Sequence, residues 1–279
     1  MHMKLGIFSK TYSGDLEVVF KKMADDRIEY TQFNLSSAGL ETMPLSYETK
    51  QLDYIKSLAA KYHIVLQAIS GTFNMIDPNI TQRKDGIRRF VVLCEIADYM
   101  NIPIISLCTG SKNRENKWKW HNDNTSLEAW QDLIETTNQI LPTAEKYHIT
   151  LGIETEASNI IHSPALARTY LDTFKSDHLK IIMDGANLFH TDQIDNMQAI
   201  LTDAFHLLGK DICLAHAKDL AGSSVIDFVA AGNGVLDYDT YIHLLRKYNY
   251  NGPLIMHGLL EQQVSQSKQF LERKLINAI

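Results

Sequence analysis

Four residues able to hold a divalent metal each close a short apolar run in the second half of the chain. They are Glu154 in ITLGIE, Asp184 in LKIIMD, His216 in ICLAH and His257 in PLIMH. They recur every 30 to 41 residues, with a helix-length segment between each pair. An apolar strand has no structural use for a charged last residue, and a buried carboxylate is costly unless it is paired or metal-bound. Taken singly, each has an ordinary explanation: a strand-end histidine is often just hydrogen-bonded, and an aspartate after a strand often serves a turn. Four at equivalent positions point to one shared site. Two carboxylates and two imidazoles suit Mn²⁺, Zn²⁺, Co²⁺ or Fe²⁺ better than Mg²⁺ or Ca²⁺, which prefer shells of oxygen alone.

Further candidates follow from spacing. Glu156 lies two residues after Glu154 and shares its face if the strand continues, and Lys218 lies two after His216. A carboxyl there serves as acid or base; a lysine beside a metal steadies a developing oxyanion or holds a substrate oxygen. An ion pair with an acidic neighbour explains Lys218 equally well. Asn159 and Asn187 fall just past the fifth and sixth runs, where they bind hydroxyls or satisfy turn backbone. The run Pro103–Cys108 opens into a long loop carrying Arg114, Trp118 and His121. Long loops in compact folds are usually functional, and aromatic faces pack on sugar C–H faces. Packing on itself or on another subunit is the alternative for this loop. Asn74, with Phe73, sits in a second candidate mouth segment after the third run.

The elements that must position these residues alternate along the chain. Expected strands are Lys4–Phe8, Tyr30–Asn34, Ile64–Ile69, Pro103–Cys108, Ile149–Glu154, Leu179–Asp184, Asp211–His216 and Pro253–His257. Expected helices lie near Leu16–Asp26, Tyr47–Tyr62, Ile80–Met100, Ser126–Tyr147, Pro164–Phe174, Met197–Leu208, Tyr238–Lys247 and Val264–Leu275. Leu52, Ile55, Leu58, Ala59 and Tyr62 show the helical period, and Ser126 and Ser163 read as N-caps. The phrase Lys-Tyr-His-Ile joins helix to strand twice, at 61–64 and 146–149. Eight strand–helix units predict an α/β protein, a (β/α)8 TIM barrel spanning residues 1–279 as one domain, with its site at the C-terminal ends of the strands. A doubly wound sheet would want a glycine-rich phosphate loop after the first strand. That position holds Ser9-Lys10-Thr11-Tyr12-Ser13-Gly14 instead.

Composition narrows the partners. The chain has 279 residues, 45% hydrophobic and 22% charged, with a formal net charge of −6. An acidic balance argues against a nucleic-acid partner. Three cysteines without a CxxC read as free thiols in a reducing compartment. No apolar stretch is long enough to span a membrane. Met1-His2-Met3-Lys4 runs straight into a strand, so no signal peptide is expected, Met3 reads as the natural start, and the expected location is cytoplasmic.

The segments ITLGIETE, IIMDGANLF, AHAKD and AAGNGVLDYDTYIHLL followed by PLIMHGLLE, with the loop CTGSKNRENKWKWHNDN, give the chain a resemblance to a known group. It resembles the sugar phosphate isomerase/epimerase family of the xylose isomerase-like TIM barrel superfamily, over essentially its whole length. The resemblance implies a divalent metal at the ends of strands five to eight, held by Glu, Asp, His and Glu, with the two glutamates exchanging a proton on opposite faces of a substrate carbon. Glu154, Asp184 and His216 match the first three. The fourth departs: His257 replaces the glutamate, and the next acid, Glu261, lies four residues on. Asn187 stands where many relatives carry histidine.

The expected function is therefore a metal-dependent isomerase or epimerase acting on a small-molecule carbohydrate: a sugar, sugar phosphate or polyol. Glu154 would be base and ligand; His257, Glu156 and Lys218 would complete the catalytic set. A keto-polyol dehydratase or lyase on the same site is the alternative. An endonuclease IV-like hydrolase and a non-catalytic sugar-binding barrel rank behind it. A homo-oligomer is possible on this fold, with the Trp118–His121 loop as a candidate interface.

Overall fold

After the first, each barrel strand is handed over by a helix that must stop abruptly, and five of those stops share one geometry. At Arg27, His63, Asn101, His148 and Asn249 the backbone enters the left-handed region (φ 54° to 59°). The next residue, Ile28, Ile64, Ile102, Ile149 or Tyr250, is buried. Its N–H bonds the carbonyl five residues back at 2.8–2.9 Å. This is the Schellman turn, which satisfies carbonyls a helix end leaves orphaned. The repeated Lys-Tyr-His-Ile phrase is two copies of it.

The computed structural model describes residues 3–189, 193–222 and 227–277. Met1 and His2, ahead of the expected start, lie outside these. Strands β1 (Leu5–Phe8), β2 (Tyr30–Phe33), β3 (Val65–Ser70), β4 (Ile104–Leu107), β5 (Thr150–Glu154), β6 (Leu179–Asp184), β7 (Ile212–Ala217) and β10 (Leu254–Met256) close a barrel in the order β1-β10-β7-β6-β5-β4-β3-β2. All eight pairings are parallel. The surrounding helices are α1 (Leu16–Asp25), α2 (Thr49–Lys61), α3 (Ile80–Tyr99), α4 (Leu127–Lys146), α5 (Pro164–Phe174), α6 (Met197–Leu208), α7 (Tyr238–Lys247) and α8 (Val264–Asn277). Ser126 and Ser163 cap α4 and α5 through their side chains. The (β/α)8 barrel is as the alternation predicts. An antiparallel pair, β8 (Asp219–Leu220) with β9 (Phe228–Val229), adds to it. Two-residue strands leave no periodicity to read. Among the described residues no helix is long and apolar enough to cross a membrane.

Two cores result. A large one fills the space between strands and helices. A smaller one, Phe8, Ala68, Ile104, Ile182, Leu214 and Ile255, forms a separate cluster on the other faces of the strands. Ile182, Leu214 and Ile255 lie two residues before Asp184, His216 and His257, so the same strand faces that pack the barrel's interior carry the polar ends to its mouth. Gly152, two before Glu154, leaves the room that Ile182 occupies: a Cβ there would stand 2.6 Å from Ile182 Cγ1.

Candidate metal centre and active site

β5, β6, β7 and the residue after β10 deliver their side chains to one point. Glu154, Asp184, His216 and His257 each offer a ligand atom within 4.8 Å of all the others. His216 Nδ1 lies 3.5 Å from Glu154 Oε1 and 3.9 Å from Asp184 Oδ2, and His257 Nδ1 lies 3.7 Å from Asp184 Oδ2. These separations are too long for hydrogen bonds. Asp184 Oδ2, His216 Nδ1 and His257 Nδ1 are indeed buried without a hydrogen-bond partner. Buried polar atoms are almost always satisfied. Three such atoms converging with a glutamate oxygen form the donor set of a divalent cation, and the residues fit one. β10 ends at Met256, yet the His257 N–H still bonds Ala217 O at 3.0 Å, which holds this last ligand beside β7.

The imidazoles are aimed from the other side of the barrel. His216 Nε2 is 2.8 Å from Gln32 Oε1, while Gln32 Nε2 faces Ser106 Oγ at 2.8 Å and Ser70 Oγ at 3.1 Å. With its amide so turned, Gln32 accepts the Nε2 proton and leaves Nδ1 with a lone pair toward the two carboxylates. Second-sphere bonds of this kind fix the tautomer of a ligating histidine. Phe8 stacks on His257 (centroids 4.5 Å apart, 26° between planes) and meets His216 edge-on.

Charge around the centre is balanced by Lys218, whose Nζ lies 3.2 Å from Asp184 Oδ2 and 2.6 Å from Asn187 Oδ1. Asn187 in turn donates to Glu154 Oε1 at 2.6 Å, so one amide bridges the Glu154 carboxylate and the Lys218 ammonium. Burial opposes ionisation of Asp184, but Lys218, His257 and His216 outweigh it and hold the carboxyl well below its usual range. Burial lowers the basicity of His257; Asp184 works against this, while Lys218 and His216 add to it. Glu156 lies past the end of β5, in a turn where Asn159 N–H bonds its carbonyl. It nevertheless lines the mouth. Burial, reinforced by Glu154 and Asp184, pushes its carboxyl up to about 8, against the pull of Lys218.

Above these groups opens a cavity of about 650 Å³, lined by Phe8, Gln32, Ser106, Cys108, Trp118 and Glu156 among others. Of the residues singled out in the sequence, Glu154, Glu156, Asn187, Lys218, His257 and Trp118 line it, with Asp184 and His216 at its floor. Others go elsewhere. Asn74 spends its amide on the Ser111 backbone, donating to Ser111 O at 2.7 Å and accepting from its N–H at 3.1 Å. Asn159 is fully buried, accepts Gly110 N–H at 2.5 Å and reaches Glu156 Oε2 at 3.2 Å. Arg114 and His121 border an outer groove beside α3 and α4, where His121 Nδ1 caps the Asn122–Thr125 turn. Glu261 is tied to Lys22 and Ser13 and takes no part in the cluster.

Sequence reasoning missed several residues. Gln32 was the sole amide in the run YTQF, a signal available but weak. Asp219, buried, accepts four backbone N–H groups, from Leu220, Gly232, Gly234 and Leu236. It thereby shapes the loop GNG, whose Gly232 sits at φ +90° and whose Gly234 has backbone 2.1 Å from where a Cβ would be. Tyr241 OH lies 2.7 Å from Met183 O and 3.0 Å from His216 O, pinning the ligand strands from behind.

The comparisons agree with this architecture. Inosose dehydratase from Glaesserella parasuis serovar 5 (strain SH0165) is 21% identical over 193 residues, which span 63% of this chain and 64% of that protein's length. A D-tagatose 3-epimerase-like protein superposes with a TM-score of 0.77 at 18% identity, covering 99% of this chain and 98% of the other. The 3-keto-D-glucoside 4-epimerase YcjR from E. coli gives 0.75 at 16% (97% and 99%). The IOLI protein, solved with a zinc atom, gives 0.74 at 15% (99% and 98%). At such identities structural likeness speaks for the fold alone. The sequence itself matches the model of the xylose isomerase-like TIM barrel over residues 26–274, and the chain belongs to that family.

Proposed function

We propose that this protein is a metal-dependent isomerase or epimerase that moves a proton at a carbon next to a carbonyl of a sugar, sugar phosphate or polyol. The observation that carries the reading is the convergence of two unpartnered imidazole nitrogens, His216 Nδ1 and His257 Nδ1, with oxygens of Asp184 and Glu154 beside a cavity of about 650 Å³. Glu154, Asp184, His216 and His257 would hold the cation. A divalent metal there would act as a Lewis acid toward substrate oxygens and make the neighbouring C–H more acidic. Glu154, oriented by Asn187, takes the proton from carbon. Glu154 then returns the proton to the neighbouring carbon in an isomerisation; inversion at one carbon needs His257, approaching from β10 on the other side of Asp184, to serve as the protonated acid and leave the cation to the other three residues. Lys218 supports negative charge on substrate oxygen. Among the described residues only one such ligand set occurs, whereas a phosphodiester hydrolase would want a multi-metal cluster.

A second reading, dehydration of a keto-polyol, has its own support. Glu156 stands two residues from Glu154, and burial with the charge of Glu154 and Asp184 pushes its carboxyl up, toward the protonated form. An acid in the turn just beyond a base suits loss of a hydroxyl as water. The inosose dehydratase relative points the same way.

The test is incubation of the Mn²⁺-loaded protein with ketoses and inososes in D₂O. Deuterium uptake without other mass change supports isomerisation or epimerisation; loss of one water supports dehydration. Glu154→Gln is expected to lower the exchange rate by about 10²- to 10⁴-fold, the range for a general base, with an unchanged circular dichroism spectrum. Full activity of that variant refutes the assignment.

A further inference from the structure

The lip of the mouth formed by the ends of β1 and β2 carries groups that the proton-transfer chemistry does not use. Lys10, exposed in the short turn after β1, lines the cavity. Its ammonium lies 5.3 Å from the Phe8 ring centroid and makes no ion pair or hydrogen bond with a described residue. Asn34, just past β2, is 4% exposed and lines the same cavity. Its Oδ1 is buried without a partner. Such an atom is expensive to leave unsatisfied, and the residue that carries it lines the cavity. Ser36 and Thr42 add hydroxyls on the same side. Glu154, Glu156 and Lys218 border the same cavity from β5 and β7. Phe8 stands between the two ends: 4.5 Å from the His257 ring and 5.3 Å from Lys10 Nζ, which puts that ammonium within about 10 Å of His257.

We infer that this lip is a subsite for the far end of the substrate: Lys10 receives a terminal anion, a phosphate or carboxylate, and Asn34 accepts a hydroxyl proton from the carbon chain leading to it. The inference rests on the carbohydrate reading above and narrows it to acidic members of that class. A single cation unpaired by protein gains a charge-assisted bond when an anion arrives. The intervening Phe8 ring offers an apolar wall to the chain's C–H groups.

Calorimetric titration with ribitol, ribitol 5-phosphate and ribonate tests it, using the Mn²⁺-saturated chain and its Glu154→Gln variant. One of the anionic probes is expected to bind about tenfold or more tightly than ribitol. Phosphate leads if the natural occupant is a sugar phosphate, and carboxylate leads if it is a sugar acid. Lys10→Met, at an exposed position, is expected to erase the preference and leave ribitol unchanged. Asn34→Ala is expected to weaken all three probes alike. Equal binding of the three, binding by none, or a preference that survives Lys10→Met overturns the subsite. Because the Glu154→Gln arm needs no turnover, loss of the probe preference leaves the assignment of Glu154 intact. Full activity of Glu154→Gln would defeat that assignment while the preference stood.

Discussion

Strands β5, β6, β7 and β10 bring Glu154, Asp184, His216 and His257 to the mouth, whereas β1 to β4 bring Phe8, Gln32, Ser70 and Ser106. One half carries ligands and formal charge. These side chains of the other are neutral, built from amide, hydroxyl and ring; Lys10 sits in the turn beyond β1, and Gln32 and Phe8 contact the imidazoles of the first. Gln32 reaches His216, and Phe8 covers both His216 and His257. The difference separates two duties usually credited to one set of residues. The charged half supplies donor atoms; the neutral half decides which nitrogen of His216 is presented and packs a ring against both imidazoles. A cluster of four donors is useful only if its histidines show lone pairs inward, and the charged half does not secure that alone.

The largest effect should come from the charged half. Asp184→Asn keeps the side-chain volume and the neighbours, but removes the carboxylate that faces Lys218 and both histidines. Affinity for Mn²⁺ or Zn²⁺, measured by calorimetry and by elemental analysis after dialysis, is expected to fall by more than about 100-fold, beyond the range seen for outer partners. Tight binding in this variant would mean that the four residues do not share a cation, and the contrast between the halves would disappear.

A smaller loss is expected from the neutral half. Gln32→Leu removes the acceptor for the His216 Nε2 proton and leaves two buried serines without their shared partner. Metal affinity should drop about 10- to 100-fold. Nitrogen-15 shifts of the His216 ring should show a mixture of tautomers where the parent chain shows Nε2–H alone. A single unchanged tautomer would move the control of His216 away from β2.

This contrast also explains what could be read before the structure. The four clustered residues were legible because a carboxylate or imidazole closing an apolar run is costly, so its presence needs a reason. The barrel was legible because eight such runs alternate with helical periods. Gln32 and Asn34 were not, since one neutral amide in or beside a strand costs little and raises no alarm. Asn74, Asn159 and His121 show the opposite difficulty. Amides and imidazoles in loops look the same in sequence whether they await a substrate or cap a turn. Here Asn74 and Asn159 fasten the loop after β4 to its neighbours, and His121 caps a turn within it. Glu156 faces the mouth although β5 stops before it, so the right placement arose from a turn and not from strand alternation.

The smallest effect should separate support from positioning. Tyr241 on α7 braces Met183 O and His216 O from outside the barrel, touching the ligand strands through backbone alone. Tyr241→Phe deletes one buried hydroxyl and strands two carbonyl contacts, a loss of about 1–2 kcal/mol of stability by the usual cost of such groups. Urea unfolding should register it as a lower midpoint at unchanged slope. Metal affinity should move by less than about threefold, because the ring orientation of His216 is set by Gln32 and Phe8, not by its carbonyl. A tenfold fall would instead show that the backbone of β7 must be held from behind for Nδ1 to reach its place. The division between a charged half that supplies donors and a neutral half that aims them would then need a third member.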